Sequence, residues 1–199
     1  TDAVAGCIVF KGMKPSKKDY RKYNIKTVEG PDDYASMQEV VRRRYTRMME
    51  EGTTLPDLII TDGGQGQMSV VRQVVEGELG LHIPIAGLAK DDRHRTNELL
   101  YGNPPKTIAL KTDSELFHVL TRIQDEVHRY AIQFHRDKRS KHALHSALDD
   151  IPGIGPATRE KLLSEFKSLK RIREASFEML SGVIGTSKAT KLMESLGKK

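Results

Sequence analysis

Apolar residues in the first two thirds of the chain occur in short runs separated by polar or glycine-containing turns. Many residues in these runs are β-branched, and runs of this length and composition are typical of buried strands. Glycine and proline mark the ends of several runs, which favours turns there. We therefore predict strands at residues 3–10, 20–28, 58–62, 83–89, 98–101 and 107–110.

Between these runs, apolar residues recur every three or four positions, the spacing of one helix face. One helix begins near Asp32, a favourable N-cap, and another spans 67–78. A longer helix follows Thr112, which forms a capping-box pattern with Glu115. The predicted buried faces are Tyr34, Met37, Val41, Tyr45 and Met48 in the first helix, and Leu116, Val119, Leu120, Ile123, Val127, Tyr130 and Phe134 in the longest. Strands interleaved with helices predict an α/β domain over 1–137.

The character of the chain changes after residue 137. Residues 138–146 are basic and polar, and we interpret them as a linker. From residue 147 to 199 the apolar pattern consists only of short helical segments. This predicts a second, small all-α domain.

The predicted all-α domain contains an internal repeat with a spacing of 30 residues. In each copy a glycine-containing loop precedes a helix. Glycines leave backbone N–H groups uncovered and a helix N-terminus adds partial positive charge, so such a loop can bind a phosphate. A plain glycine–proline connection is the alternative, but its repetition favours phosphate binding. The matching pairs are Ile154 with Ile184, Gly155 with Gly185, Leu162 with Leu192 and Phe166 with Leu196.

Two such copies resemble a tandem helix-hairpin-helix unit, which binds the backbone of duplex DNA with little dependence on base sequence. The second copy departs from the first, with Val183 where the first has Gly153. Basic clusters on the first helix and in the predicted linker add further candidates, although a solvated surface is the default explanation for such clusters. The predicted DNA-binding residues are Gly153, Ile154, Gly155, Arg159, Lys161, Gly182, Gly185, Lys188, Arg42, Arg43, Arg136 and Arg139.

The charge, the cysteine content and the hydropathy of the sequence limit the classes of function that it can have. The formal net charge of +6 is compatible with nucleic-acid binding without requiring it. Cys7 is the only cysteine, which excludes an internal disulfide and a thiolate zinc site. Neither a membrane-spanning run nor a signal peptide is visible, so we expect a cytoplasmic protein without membrane contact.

Three residues are candidates for chemistry in the α/β part. Asp62 ends a predicted strand before two glycines, where a carboxylate can bind a divalent cation while a phosphate approaches. An ordinary turn aspartate is an equally good explanation of that pattern. His128 lies beside the apolar face of the long helix, where a surface or core histidine is the ordinary explanation. Asp33 follows the N-cap, where an acidic residue favours the helix dipole.

Three stretches carry a resemblance to a known family. They are Gly30-Pro31-Asp32-Asp33-Tyr34 with Arg42-Arg43-Arg44-Tyr45, then Pro56 through Gln67, and Asp125-Glu126-Val127-His128-Arg129-Tyr130 with Phe134-His135-Arg136. Together with Ile151-Pro152-Gly153-Ile154-Gly155, their order and spacing resemble the C-terminal half of the UvrC family of bacterial excinucleases. The resemblance implies an RNase H-like mixed sheet with flanking helices, followed by the tandem helix-hairpin-helix domain.

The resemblance also implies a function. It identifies Asp62 and His128 as catalytic, metal-binding residues, and Asp33 as a further acidic position of the nuclease. The implied cofactor is Mg²⁺ or Mn²⁺, with no small-molecule cofactor. The implied reaction is the 5′ incision of nucleotide excision repair, on double-stranded or bubble DNA and with a UvrB-type damage-recognition subunit.

The resemblance places the family's first catalytic aspartate and a central strand before Thr1. We therefore expect the chain by itself to cut poorly or not at all. The alternative function is a non-catalytic DNA-binding scaffold, and metal binding at Asp62 discriminates between the two.

Overall fold

The computed structural model describes residues 3–90 and 96–197. Its internal contacts divide the chain into two compact units, Thr1–Ile132 and Gln133–Lys199. The first unit is a mixed α/β structure and the second is helical, as predicted. Within the described ranges, no helix is both long and apolar enough to cross a membrane.

The sheet of the first unit is mixed. Strand β5 runs parallel to β6, while β6, β7 and β8 are antiparallel, in the order β5-β6-β7-β8. Two further antiparallel pairs, β1 with β4 and β2 with β3, come from the N-terminal part. The strands are β1 (Val4–Cys7), β2 (Phe10–Lys11), β3 (Lys14–Pro15), β4 (Arg21–Asn24), β5 (Ile59–Thr61), β6 (Ile85–Lys90), β7 (Thr96–Tyr101) and β8 (Lys106–Ala109).

Two helices pack beside this sheet. Helix α1 spans Asp33–Glu51, and α2 spans Gln65–Arg72 before a π-helical turn at Gln73–Glu78. As predicted, Asp32 caps α1, because its carboxylate accepts the backbone N–H of Ala35 at 2.9 Å. The core that joins the helices to the sheet consists of Val41, Tyr45, Met68, Val71, Val74, Val75, Ile83 and Ile85.

The predicted buried faces were wrong at their first positions. Tyr34 and Leu116 are 49% and 45% exposed. Both lie in the first turn of their helices, where the side chain projects beyond the core that the following turns cover.

The residues that we interpreted as a linker are helical. Helix α3 runs without interruption from Glu115 to Leu148 and includes 138–146. The physical reason is local, since this segment has neither glycine nor proline and is rich in Arg, Lys and Ala, which favour helices. Leu144 and Leu148 are buried in the core of the second unit.

Four short helices complete the second unit: α4 (Pro156–Phe166), α5 (Leu169–Glu174), α6 (Phe177–Ile184) and α7 (Thr186–Ser195). Matching positions of the predicted repeat occupy the same core, which includes Ile154, Ile184, Leu162 and Leu192. The second loop is shorter than the sequence predicted. Gly182 lies inside α6, and Gly185 alone connects α6 to α7.

Candidate active site and DNA-binding loops

Asp62 directly follows the last residue of β5. Thr61 is buried and pairs with Gly87 of the parallel neighbour β6. Glycine is needed at position 87, because a Cβ there would lie 2.5 Å from the carbonyl oxygen of Gly63 and 2.8 Å from the sulfur of Met68. The missing side chain lets the turn after Asp62 fold back against β6, which fixes where the carboxylate leaves the sheet.

Helix α3 brings two side chains to this carboxylate. Nε2 of His128 lies 2.7 Å from Oδ2 of Asp62, and Nε2 of Gln124 donates to Oδ1 at 3.0 Å. Asp62 and His128 are 30% and 43% exposed at their side chains, so the pair is open to solvent. The structure thus brings together two of the three residues that the sequence identified for chemistry, which are 66 positions apart.

A second set of contacts holds this part of α3 against the N-terminal strands. Glu126 accepts the Tyr20 hydroxyl at 2.9 Å and two hydrogen bonds from Arg129. Burial and the bond to Glu126 raise the pKa of Tyr20 to about 12. The ring of Tyr130 packs edge-on against Tyr20 and lies where a Cβ of Gly6 would be. These contacts set the position of the helix from which His128 projects.

Asp33 lies in the first turn of α1. Within residues 3–90 and 96–197, it forms no hydrogen bond or ion pair with Asp62 or His128. Its neighbour Tyr34 lies close to Gly66 at the start of α2, since a Cβ on that glycine would overlap the Tyr34 hydroxyl. The N-terminus of α1 is therefore adjacent to that of α2, which begins just after the Asp62 turn, but a catalytic role for Asp33 stays a prediction.

Gln124 is a residue that the sequence prediction missed. It is buried, 8% exposed, and its amide donates to Asp62. The signal in the sequence is its spacing of four residues from His128, which places both side chains on one helix face.

The donor atoms of Asp62 and His128 fit part of a divalent metal site. A carboxylate oxygen suits Mg²⁺ or Mn²⁺, and an imidazole nitrogen is a better ligand for Mn²⁺ than for Mg²⁺. Across the described ranges, no group of three or more His, Cys, Asp and Glu side chains is arranged to hold a metal ion. The pair can therefore supply two ligands, and the rest of the shell would come from water, DNA phosphate or further residues.

The predicted basic cluster on α1 is engaged within the protein. Arg42 forms a two-pronged ion pair with Glu78, with N···O distances of 2.6 and 2.7 Å. Arg43 donates to the Asn24 carbonyl and to Glu39. These partners account for both side chains without DNA. The predicted Arg136 and Arg139 lie on exposed positions of α3.

The first hairpin loop combines a glycine of positive φ with the N-terminus of α4. Gly153 has a positive φ of 83°, and Gly155 is the N-cap of α4 with Pro156 at its first position. Ile154 is buried and anchors the loop. The Lys191 ammonium, from the second repeat, lies 3.3 Å from the point where a Cβ of Gly153 would be.

The basic residues predicted beside the hairpins differ in their surroundings. The Arg159 side chain is 15% exposed, forms an ion pair with Asp149 and contacts Nδ1 of His145 at 3.2 Å. Lys161 is exposed, as a phosphate ligand must be. Lys188 donates to the Thr158 hydroxyl at 3.1 Å. Arg159 is thus occupied within the unit, which leaves the loop amides and Lys161 as the more accessible groups.

Comparison with known proteins also separates the chain into an α/β part and a helical part. Residues 1–132 match a family model described as the UvrC RNAse H endonuclease domain, and residues 146–198 match the SAM-like helix-hairpin-helix tandem. The chain is 67% identical over 196 residues to UvrABC system protein C of Bacteroides thetaiotaomicron and to that of Bacteroides fragilis. The match covers 98% of this chain but only 32% of each relative.

Proposed function

Because the chain belongs to the UvrC family and corresponds to the C-terminal part of its members, we propose that it forms the 5′-incising, metal-dependent endonuclease part of a nucleotide excision repair protein. The observation that most directly supports this proposal is the contact between Asp62 and His128 at the end of β5, within the region that matches the endonuclease domain model. A carboxylate and an imidazole that meet at an exposed strand end are suited to phosphodiester hydrolysis.

The residues of the site have separate tasks in this proposal. Asp62 presents one carboxylate oxygen towards His128. When Nε2 of His128 carries the proton that it donates to Asp62, Nδ1 is left as a proton acceptor. The Gln67 side chain lies where a Cβ of Gly63 would be, so glycine is needed there for the turn beside Asp62 to form. A divalent cation bound there would stabilise the negative charge that develops on the phosphate oxygens.

The helical unit would hold the DNA while the first unit cuts it. The amides of the loop at Gly153 and the N-terminus of α4 would bind phosphates, with Lys161 contributing charge. Contacts of this kind give affinity that falls steeply with salt and depends little on base sequence. We further propose that the full-length protein acts in the cytoplasm on double-stranded or bubble DNA, together with a UvrB-type subunit.

A non-catalytic DNA-binding scaffold is the second candidate. It is favoured by one observation, since the described residues contain no cluster of three metal-ligating side chains. A scaffold would bind DNA through the hairpins and leave Asp62 and His128 without a chemical role.

Nicking of a bubble duplex in Mn²⁺ discriminates between the two functions. The assay compares this chain, the same chain extended upstream by about 20 residues to include one further strand, and the extended chain with Asp62→Ala, each with the partner subunit supplied. Asp57→Ala is the matched control, because Asp57 is exposed and precedes the same strand.

We expect the extended protein to nick DNA and Asp62→Ala to lower the rate by roughly 100-fold or more, with Asp57→Ala close to wild type. DNA binding without nicking in all proteins would support the scaffold instead. Equal nicking by the Asp62→Ala protein would remove Asp62 from the active site.

A further inference from the structure

Gln124 is a buried amide with a direct bond to the proposed catalytic carboxylate. Its side chain donates to Oδ1 of Asp62 at 3.0 Å, while His128, one helical turn further on, contacts Oδ2 at 2.7 Å. We propose that Gln124 is a positioning residue, which holds the Asp62 carboxylate in the orientation that presents Oδ2 to His128. This inference rests on the proposed nuclease function and adds a residue to it.

Asp62 needs such a partner because its side chain is 30% exposed, and the part of it that faces solvent does not restrict the rotation of the carboxylate. The torsion that turns a carboxylate about its last carbon–carbon bond is broad. A single contact at Oδ2 would leave the plane of the carboxylate free to pivot about that contact. Contacts at both oxygens from the same rigid helix remove that freedom.

The amide is a chemically suitable group for this task. Leaving a donor of a buried amide unpaired destabilises the folded state, so the hydrogen bond to Asp62 is favoured. Because the amide is neutral and does not titrate, it occupies one oxygen without cancelling the carboxylate charge. A lysine or arginine at position 124 would satisfy the same oxygen but would repel a cation. Gln124 therefore orients Asp62 while leaving its charge available.

Two substitutions at this position separate the bond from the bulk of the side chain. Gln124→Met keeps the length and removes the donor, whereas Gln124→Asn keeps the amide and shortens its reach. Gln133→Met is the matched control, because Gln133 is an exposed residue of the same helix.

Two readouts are needed. The first is the ¹⁵N spectrum of the His128 imidazole in this 199-residue chain, labelled at histidine and assigned with a His128→Gln protein. It reports which ring nitrogen carries the proton, and no catalysis or metal is required. The second is the incision rate of the full-length protein at saturating DNA, as a function of Mn²⁺ concentration.

We expect both Gln124 substitutions to change the His128 signals and to lower the incision rate or the apparent Mn²⁺ affinity by roughly 10–100-fold. The KM for DNA should stay close to the wild-type value. The Gln133→Met control should keep the wild-type His128 signals and incision rate. A partner that orients a ligand acts in this way, whereas a residue that only supports the fold would alter stability and leave the folded protein's His128 spectrum unchanged.

Wild-type His128 signals in both Gln124 proteins overturn the inference, whether or not their melting temperatures fall. The same change in the Gln133→Met protein overturns it as well. If the full-length wild-type protein does not cut DNA at all, the proposed function fails, and the imidazole spectrum alone then decides whether Gln124 orients the pair.

Discussion

At the scale of single residues, Glu39 shows how completely a buried charge can be compensated. Glu39 is only 4% exposed. Its carboxylate accepts hydrogen bonds from the backbone N–H groups of Lys26 and Thr27, from the Thr27 hydroxyl and from the Arg43 guanidinium. Burial alone would raise its pKa. The hydrogen bonds outweigh burial and hold the pKa at about 2, below the ordinary value of 4.5. Glu39 thereby ties α1 to the segment that follows β4.

Substitution of Glu39 should show this compensation as a pH dependence. A carboxyl whose pKa is lower in the folded state stabilises the fold above its unfolded pKa and loses that effect as the pH falls. We expect Glu39→Gln to lower the free energy of unfolding by about 2 kcal/mol at neutral pH. The difference from wild type should shrink as the pH falls from 4.5 towards 2.

Urea unfolding followed by tyrosine fluorescence measures this effect for the first unit alone, because all six tyrosines lie between residues 20 and 130 and the chain has no tryptophan. Glu50→Gln is the control, since Glu50 is an exposed residue of the same helix. A destabilisation of the Glu39→Gln protein that did not vary with pH would contradict the assigned role of the charge.

The residues of the site differ in how visible they are in the sequence. Asp62 stands at a strand end before two glycines, and the family resemblance identified His128, so both were predicted. Their contact could not be derived from spacing, because 66 positions separate them. Gln124 was missed because a glutamine inside a helix is ordinary in pattern, and only the packing of α3 reveals its partner.

At the scale of elements, two glycines of the second hairpin have opposite roles. Gly185 connects α6 to α7 with φ of 84° and ψ of 158°, a backbone conformation that residues with a Cβ rarely adopt. Gly182 lies inside α6. An added Cβ would meet no atom within 4 Å at either position, so any effect of alanine is conformational.

Alanine substitutions at these positions should therefore change stability in opposite directions. We expect Gly185→Ala to destabilise the helical unit by roughly 1–3 kcal/mol, and Gly182→Ala to stabilise it by about 0.5–1 kcal/mol. Amide hydrogen exchange in α6 and α7 measures both. Destabilisation by Gly182→Ala would show that this glycine is part of the loop, as the sequence pattern had indicated.

Helices and strands could be predicted from the sequence where the apolar residues of a segment followed one periodicity. The strands before and after Asp62 and the repeat of buried isoleucines and leucines could be read from the order of apolar residues. The helical structure of 138–146 could not be predicted in this way. A polar, basic segment without glycine or proline is equally compatible with a linker and with the solvated face of a helix. The buried pair Leu144 and Leu148, four residues apart, is the signal that favours the helix.

At the scale of the whole molecule, this pair means that the core of the second unit includes the end of α3. Leu144 is 2% exposed and Leu148 is fully buried, together with Leu162 and Leu192 of the repeat. A fragment that begins at the predicted domain start, residue 147, retains Leu148 but loses Leu144. The composition of the chain located the second domain, but only packing shows where its core begins.

Fragments with different starts test this boundary. We expect 147–199 to be less stable than 133–199 by about 2–5 kcal/mol, the range for removal of a buried leucine side chain. The fragment 140–199 keeps Leu144 and should match 133–199. Thermal unfolding followed by far-ultraviolet circular dichroism measures all three, and equal midpoints for 147–199 and 133–199 would show that Leu144 is dispensable.

The hydrogen bond between Lys188 and Thr158 joins two residues that are 30 positions apart, the period of the repeat. Each residue therefore touches its own counterpart in the other copy. With lysine in both copies, two ammonium groups would face each other and repel. With threonine in both, the charge would be lost. A lysine in one copy and a threonine in the other avoid both outcomes, so the two copies differ in sequence at the point where they contact each other.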